Sequence, residues 1–120
     1  MFTIRGATTV ERDCEEDINS AVKEMIALIL KENNITIDDV ISIIFSCTRD
    51  LKSCYPAKAA REMGFVRSGL MCFNEMYVDG SLKRCIRVLF FIDKSVKQKD
   101  AKHIYLRGAA NLRPDILKDF

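Results

Sequence analysis

One long segment near the start of the chain carries its apolar residues three or four positions apart, at Ile18, Val22, Met25, Ile26 and Ile29. This spacing predicts an amphipathic α-helix, because residues three and four apart share one helix face. We expect a capping-box-like pair, Asp13 and Glu16, to begin the helix, and Asn33 with Asn34 to end it.

Four other segments have the apolar and β-branched composition of strands, and they span residues 2–10, 40–47, 66–73 and 82–92. The second is almost continuously apolar, which predicts a central strand covered on both faces. A loop with Asp79 and Gly80 at its tip joins the last two. Pro56 and Gly64 frame a short predicted helix over residues 56–63.

The predicted order is strand, long helix, strand, short helix, strand, strand, tail. This order indicates a single α+β domain over residues 1–120, with a mixed β-sheet and the long helix on one face. One long helix does not cover both faces of so apolar a sheet, so we expect the chain to form an oligomer. Residues 107–120 lack a clear period and are predicted to form a tail that lies on the surface or closes over a site.

A single charge interrupts the last predicted strand. Arg87 shares its face with Cys85, Leu89 and Phe91, and the opposite face is also apolar. Burying an unpaired guanidinium costs several kcal/mol, and arginine cannot avoid this cost by losing its proton. Three explanations stay open: an internal Asp or Glu, an edge position from which the side chain reaches water, or an anionic ligand.

Composition limits the classes of partner. The 19 Lys and Arg residues exceed the 17 Asp and Glu residues by only two and are scattered, which argues against nucleic acid as the main partner. No apolar run approaches the ~20 residues of a membrane span, and no apolar signal segment opens the sequence, so we expect a cytosolic protein with no membrane partner.

The five cysteines and the single histidine do not suggest a metal site. No two cysteines form a CxxC pair, and His103 has no cysteine or histidine close by in sequence. We therefore expect no bound zinc or other metal, reduced thiols that serve mainly as small core residues, and a structural role for His103.

Six fragments carry a resemblance to a known family. They run in order from Ile4 to Asp115 and are IRGATTVERD, PAKAAREMG, CFNEM, KRCIRV, HIYL and LRPD. In this order and spacing they resemble the type I chorismate mutases, which are small monofunctional α/β enzymes.

The resemblance implies a homotrimer around a pseudo α/β-barrel of sheets, with helices outside and an active site in each cleft between subunits. The implied reaction is the isomerisation of chorismate to prephenate in phenylalanine and tyrosine biosynthesis. It is a pericyclic, Claisen-type rearrangement, so the resemblance implies no covalent intermediate, no cofactor and no metal.

The resemblance also implies roles for individual residues. Arg87 is expected to face the breaking ether bond, Arg5 and Tyr105 to bind carboxylates, and Glu75 to accept a hydrogen bond from the ring hydroxyl. Substrate contacts are implied at Cys72, Tyr55, Ala57, Lys58, Arg61, Leu112 and Arg113. The last two belong to the tail expected to close on the site. Met71 stands where the family has a small polar residue.

Two other functions stay open at this stage. One is a trimeric enzyme that hydrolyses imines and holds a substrate carboxylate with an arginine between subunits. The other is a non-enzymatic trimer that binds a dicarboxylate as a regulatory signal. The imine-hydrolysing enzyme would not need Glu75 beside a second arginine on the first strand, and loss of chorismate absorbance on adding pure protein would separate all three functions.

Overall fold

The computed structural model describes residues 1–112 of the chain. Its helices and strands are β1 (Phe2–Thr9), α1 (Glu15–Glu32), β2 (Val40–Cys47), α2 (Ala57–Met63), β3 (Gly69–Asn74), β4 (Cys85–Ile92) and β5 (Ile104–Tyr105). Short 3-10 helices span Ile37–Asp39, Gln98–Asp100 and Arg107–Ala109. The strands form one mixed sheet, which confirms the predicted α+β class.

The sheet order is β3-β2-β4-β1-β5. Strand β4 lies in the middle and pairs antiparallel with both β1 and β2, while β3 is parallel to β2 and β5 is parallel to β1. The loop with Asp79 and Gly80 at its tip therefore joins strands that do not pair with each other. Parallel pairing of β3 with β2 depends instead on the crossover through α2, since parallel neighbours cannot be joined by a tight turn.

Helices α1 and α2 cover the same face of the sheet and build the main core with it. Fully buried side chains from both layers meet there, among them Ile26, Ile29, Phe45 and Phe90. A Cβ atom at Gly6 would come within 3.1 Å of Ile29 Cδ1 on α1. A glycine at this position therefore lets the long helix pack close to β1.

The other face of the sheet is not covered within the described part of the chain. Ile44 and Ser46 of β2 are half-buried on this open face, and Met71 and Phe73 of β3 are exposed. The prediction that β2 is covered on both faces is therefore wrong for the single chain, although β2 does lie inside the sheet, between β3 and β4. The open face leaves apolar area for another copy of the chain to cover.

Two strands begin later than predicted. Strand β3 begins at Gly69 and not at Val66, because the turn after Gly64 leaves residues 66 and 67 exposed. Strand β4 begins at Cys85 and not at Leu82, since Arg84 has a left-handed φ of 47° that ends regular pairing on its N-terminal side.

Helix α1 begins without the predicted capping box. Its N-cap residue is Cys14, which makes no capping side-chain hydrogen bond. The Asp13 carboxylate instead accepts hydrogen bonds from the backbone amides of Lys52 (3.0 Å) and Ser53 (3.1 Å). Asp13 thus fastens the β2–α2 loop to the start of the helix.

The chain after β4 is more ordered than the sequence predicted. Strand β5 was not expected, and Ala109, in the predicted tail, is fully buried. The Gly108 amide also donates to Thr9 Oγ1 at 3.0 Å. The first residues of the predicted tail therefore belong to the fold, while residues 113–120 lie outside the described part.

No helix within residues 1–112 combines the length and apolar character needed to cross a membrane.

Candidate functional site

Strand register brings the two strand arginines to one cavity on the open face. Arg87 pairs with Ala7 of β1, and Ala7 pairs with Tyr105 of β5, so Arg5, Arg87 and Tyr105 project from the same face of neighbouring strands. We call the space between them the arginine cavity. Its volume is about 230 Å³, and it is lined by Arg5, Gly6, Ile44, Ser46, Arg87, Val88, Leu89 and Tyr105.

Glu75 reaches the edge of this cavity from the end of β3. Its backbone amide donates to the carbonyl of Cys47 at 2.8 Å, which carries the chain across the end of β2. Its carboxylate oxygen Oε1 then lies 3.3 Å from Arg87 Nε and accepts a hydrogen bond from Ser46 Oγ at 2.9 Å. Oε2 accepts the amide of Met76 at 3.2 Å.

The ion pair with Glu75 explains in part how an arginine is accommodated within the apolar strand β4. Strand β4 lies inside the sheet, so an edge position does not explain the charge. The Arg87 side chain is 46% exposed and that of Glu75 is 31% exposed, so in the single chain the charge is paired with an acid and also reaches water. A pair this open contributes about 1 kcal/mol or less to stability, and the guanidinium remains accessible to an anionic ligand.

His103 packs directly on Arg5. The Arg5 backbone amide donates to His103 Nδ1 at 2.9 Å, and Arg5 Nη2 lies 3.2 Å from His103 Nε2. The imidazole is 7% exposed. A buried ring that contacts both the backbone and the guanidinium of Arg5 restricts the direction of that side chain.

Cys72 and Tyr55 line a second, larger cavity at the ends of β2 and β3. We call it the thiol cavity. Its volume is about 450 Å³, and it is lined by Cys47, Leu51, Lys52, Ser53, Cys54, Tyr55, Pro56, Cys72, Phe73 and Asn74. Tyr55 is 72% exposed at its mouth. The two cavities share no lining residue, so one described chain does not bring Cys72 or Tyr55 into the arginine cavity.

Burial keeps three of the thiols near the two cavities in the protonated form. Burial raises the pKa of Cys47 to about 12, and it also raises the pKa of Cys54. Burial raises the pKa of Cys85 as well, although the neighbouring Arg87 guanidinium acts in the opposite direction. A protonated thiol is a weak nucleophile, so these three cysteines are not suited to covalent catalysis at neutral pH.

The expected contact residues of α2 line neither cavity. Lys58 forms an ion pair with Glu15 at the start of α1, and Arg61 is exposed. Ala57 is 4% exposed and packs in the main core, so its side chain is not presented to either cavity. In one chain, therefore, α2 offers two cations outside the arginine cavity.

The expected lid residues are only partly described. Leu112 is half-buried and packs against a small cluster of Ala7, Cys85 and Ala109, which also contacts Tyr105. Arg113 lies outside the described residues. Met71 is 59% exposed on the open face, beside Ile44 in the register of β3 with β2.

Two residues that contact Glu75 or Arg5 were not among the expected site residues. Ser46 is a polar residue within an apolar strand, and that contrast was a signal in the sequence. His103 was expected to be only structural, and its closeness to Tyr105 in sequence gave no indication that it contacts Arg5. No group of three or more His, Cys, Asp or Glu residues in the described range is arranged to hold a metal ion.

Comparisons with known proteins agree on one family. The family model for chorismate mutase type I matches residues 1–116. Chorismate mutase AroH of Bacillus subtilis (strain 168) is 44% identical over 114 residues, covering 94% of this chain and 90% of the relative. Chorismate mutase AroH of Thermus thermophilus is 43% identical over 114 residues, covering 94% of this chain and 93% of the relative.

A solved structure agrees with both sequence relatives. The chorismate mutase from Clostridium thermocellum (Cth-682) superimposes with a TM-score of 0.89 at 43% identity, covering 91% of this chain and 97% of the solved chain.

Proposed function

The chain belongs to the type I chorismate mutases, and from this premise we propose that it isomerises chorismate to prephenate by a pericyclic rearrangement in clefts shared between the subunits of a homotrimer. The observation that carries the proposal is the arginine cavity, where Arg5, Arg87 and Tyr105 line one small space. Two cations and a phenol in one cavity suit a substrate with two carboxylates.

The arrangement suits the charge that develops in this reaction. Chorismate must fold from an extended to a chair-like conformer, and its breaking C–O bond places partial negative charge on the ether oxygen. In our proposal Arg5 and Tyr105 hold carboxylates so that the chair is favoured. Arg87 directs its guanidinium at the ether oxygen, where a fixed cation stabilises the transition state more than the ground state.

Glu75 has two roles in the proposal. It accepts a hydrogen bond from the ring hydroxyl of the substrate, and it orients Arg87 through the contact at Nε. Neither role requires a nucleophile, a metal or a cofactor, because the bonds are made and broken within one molecule.

A neighbouring subunit completes the site in this proposal. The residues of its wall are Tyr55, Ala57, Lys58, Arg61 and Cys72, and its upper side is closed by Leu112 and Arg113. Support comes from the separation of the two cavities within one chain and from the exposed apolar residues of the open face, such as Met71 and Phe73. Three chains packed through their open faces would bury this apolar area and form the pseudo-barrel.

Family membership favours this function over an imine hydrolase or a regulatory dicarboxylate binder. We place the enzyme in the cytoplasm and assign it to phenylalanine and tyrosine biosynthesis. The five free cysteines accord with a reducing compartment.

A kinetic assay tests the reaction, and light scattering tests the assembly. Pure protein should remove the absorbance of chorismate and produce prephenate in equal amount. Light scattering should give about 41 kDa, three times the chain mass of 13.7 kDa. A fully active species of about 14 kDa would disprove the shared site.

Mixing two inactive variants tests the sharing directly. Arg87→Ala removes one side of the cleft and Arg61→Ala the other, so each variant alone should be nearly inactive. After the two are unfolded and refolded together, about a quarter of the clefts in random trimers combine two intact sides, and activity should recover to that level. No recovery in refolded trimers would place both residues in the site of a single chain.

A further inference from the structure

The hydroxyl of Ser46 holds the Glu75 carboxylate at the edge of the arginine cavity. Ser46 lies on β2 directly opposite Arg87 in the register with β4, and it faces the open side of the sheet. Its Oγ donates to Glu75 Oε1 at 2.9 Å, and the same oxygen lies 3.3 Å from Arg87 Nε. We propose that Ser46 is a positioning residue for the rearrangement, an inference that rests on the function proposed above.

Counting hydrogen-bond capacity shows what Ser46 determines. A carboxylate oxygen has two lone-pair directions. Oε1 of Glu75 accepts a hydrogen bond from Ser46 and faces the Arg87 guanidinium in an ion pair, while Oε2 accepts one hydrogen bond from the amide of Met76. One direction on Oε2 is left, and this is the position that can accept the ring hydroxyl of the substrate.

Without the Ser46 hydroxyl the carboxylate loses its fixed orientation. The terminal torsion of a glutamate side chain has broad, roughly two-fold preferences, so rotation about it is easily reached. Rotation would move Oε1 away from Arg87 and turn the free position on Oε2 away from the cavity. Ser46 therefore acts on the substrate through Glu75.

The same bond also fixes the direction of Arg87. Glu75 contacts the guanidinium at Nε, so this contact does not take up either of the two terminal nitrogens. A planar guanidinium fixed at Nε presents those nitrogens in one plane, which is the preorganisation that an electrostatic catalyst needs.

A second serine on the same strand provides a matched control. Ser42 shares the face of Ser46 but pairs with Phe91 and Gly69, and it lines neither cavity. Ser42→Ala therefore removes the same hydroxyl from the same strand face at a distance from Glu75. Its kcat should stay within about twofold of the wild type.

The decisive experiment is a double-mutant cycle between Ser46 and Glu75. In the wild-type background Ser46→Ala should lower kcat about tenfold, equivalent to about 1.4 kcal/mol, with a smaller change in KM. In a Glu75→Ala background the same change should lower kcat less than about twofold, because the group that Ser46 positions is absent. Ser46→Thr keeps a hydroxyl on a strand that favours β-branched residues and should retain at least about a third of the wild-type kcat.

Three results would overturn the role of Ser46 in variants whose melting temperatures match that of the wild type. The first is an equal loss of kcat from Ser46→Ala in the wild-type and Glu75→Ala backgrounds. The second is a loss of kcat from Ser46→Ala no larger than that from Ser42→Ala. The third is a kcat for Ser46→Thr as low as that of Ser46→Ala. Failure of the proposed function would look different, because the wild-type protein would then leave chorismate unchanged.

Discussion

Replacing Arg87 separates a stabilising ion pair from a catalytic cation. The Arg87–Glu75 pair is 3.3 Å long between side chains that are 46% and 31% exposed. At this distance two unit charges in water interact by about 1.3 kcal/mol, and exposed pairs usually contribute ~0.2–1 kcal/mol. Arg87→Ala should therefore lower the free energy of unfolding by about 1 kcal/mol or less. A core ion pair that lost one partner would cost ~3–5 kcal/mol.

The effect on catalysis should be much larger. Loss of one preorganised donor to a developing oxyanion typically costs ~3–4 kcal/mol. Arg87→Lys keeps the positive charge but removes the planar fork and the Nε contact with Glu75. We expect Arg87→Lys to fold as a trimer, to bind prephenate and to lose kcat by at least about 100-fold, equivalent to about 2.7 kcal/mol.

The assay follows chorismate absorbance at saturating substrate, together with urea unfolding of the same samples. Arg12→Lys is a suitable control, since Arg12 forms an ion pair of similar length with Asp17 (3.4 Å) and lines neither cavity. Its kcat should not change. A folded Arg87→Lys protein with near-normal kcat would refute the electrostatic role.

The remaining predictions concern Glu75, the thiols and the tail. Glu75→Ala should reduce kcat more than Cys72→Ser, and abolition of turnover in a folded Cys72→Ala protein would require covalent chemistry to be reconsidered. Truncation after Leu112 spares the buried Ala109, so it should lower kcat/KM and shift the melting temperature by only a few degrees. An unchanged kcat/KM would show that the removed residues have no role in catalysis. Burial raises the pKa of Cys47 from 9.0 to about 12, so the thiol ionises at a lower pH in the unfolded chain than in the folded chain. The free energy of unfolding should therefore fall as pH rises from about 9 toward 12. Urea unfolding at pH 8 and pH 10 measures this loss, and the same pH dependence in Cys47→Ala would contradict it.

Much of the secondary structure could be predicted because it depends on local patterns. The spacing of apolar residues located α1, the composition of residues 40–47 gave the bounds of β2, and Pro56 with Gly64 framed α2. The starts of β3 and β4 were predicted too early, because apolar residues continue past the point where hydrogen-bonded pairing begins. Strand β5 is only two residues long, and a segment so short carries no period of its own.

The candidate site, too, could be predicted from the sequence only in part. The sequence by itself placed an arginine within an apolar strand and indicated that an acidic residue, an anionic ligand or water must meet it, because an unpaired buried charge is too costly. It also supplied the ordered fragments by which the family resemblance named Arg5, Glu75 and Tyr105.

Only the tertiary structure decided which of these groups meet. The central position of β4 set Arg87 beside Ser46 of β2, and the path of the chain past Cys47 carried Glu75 to both of them. The contact of His103 with Arg5 spans 98 positions of sequence. Such contacts depend on strand order and on loop paths, and these are set by the packing of the whole sheet against α1 and α2. Local periodicity fixes the face on which a side chain lies, but not the strand that will lie next to it.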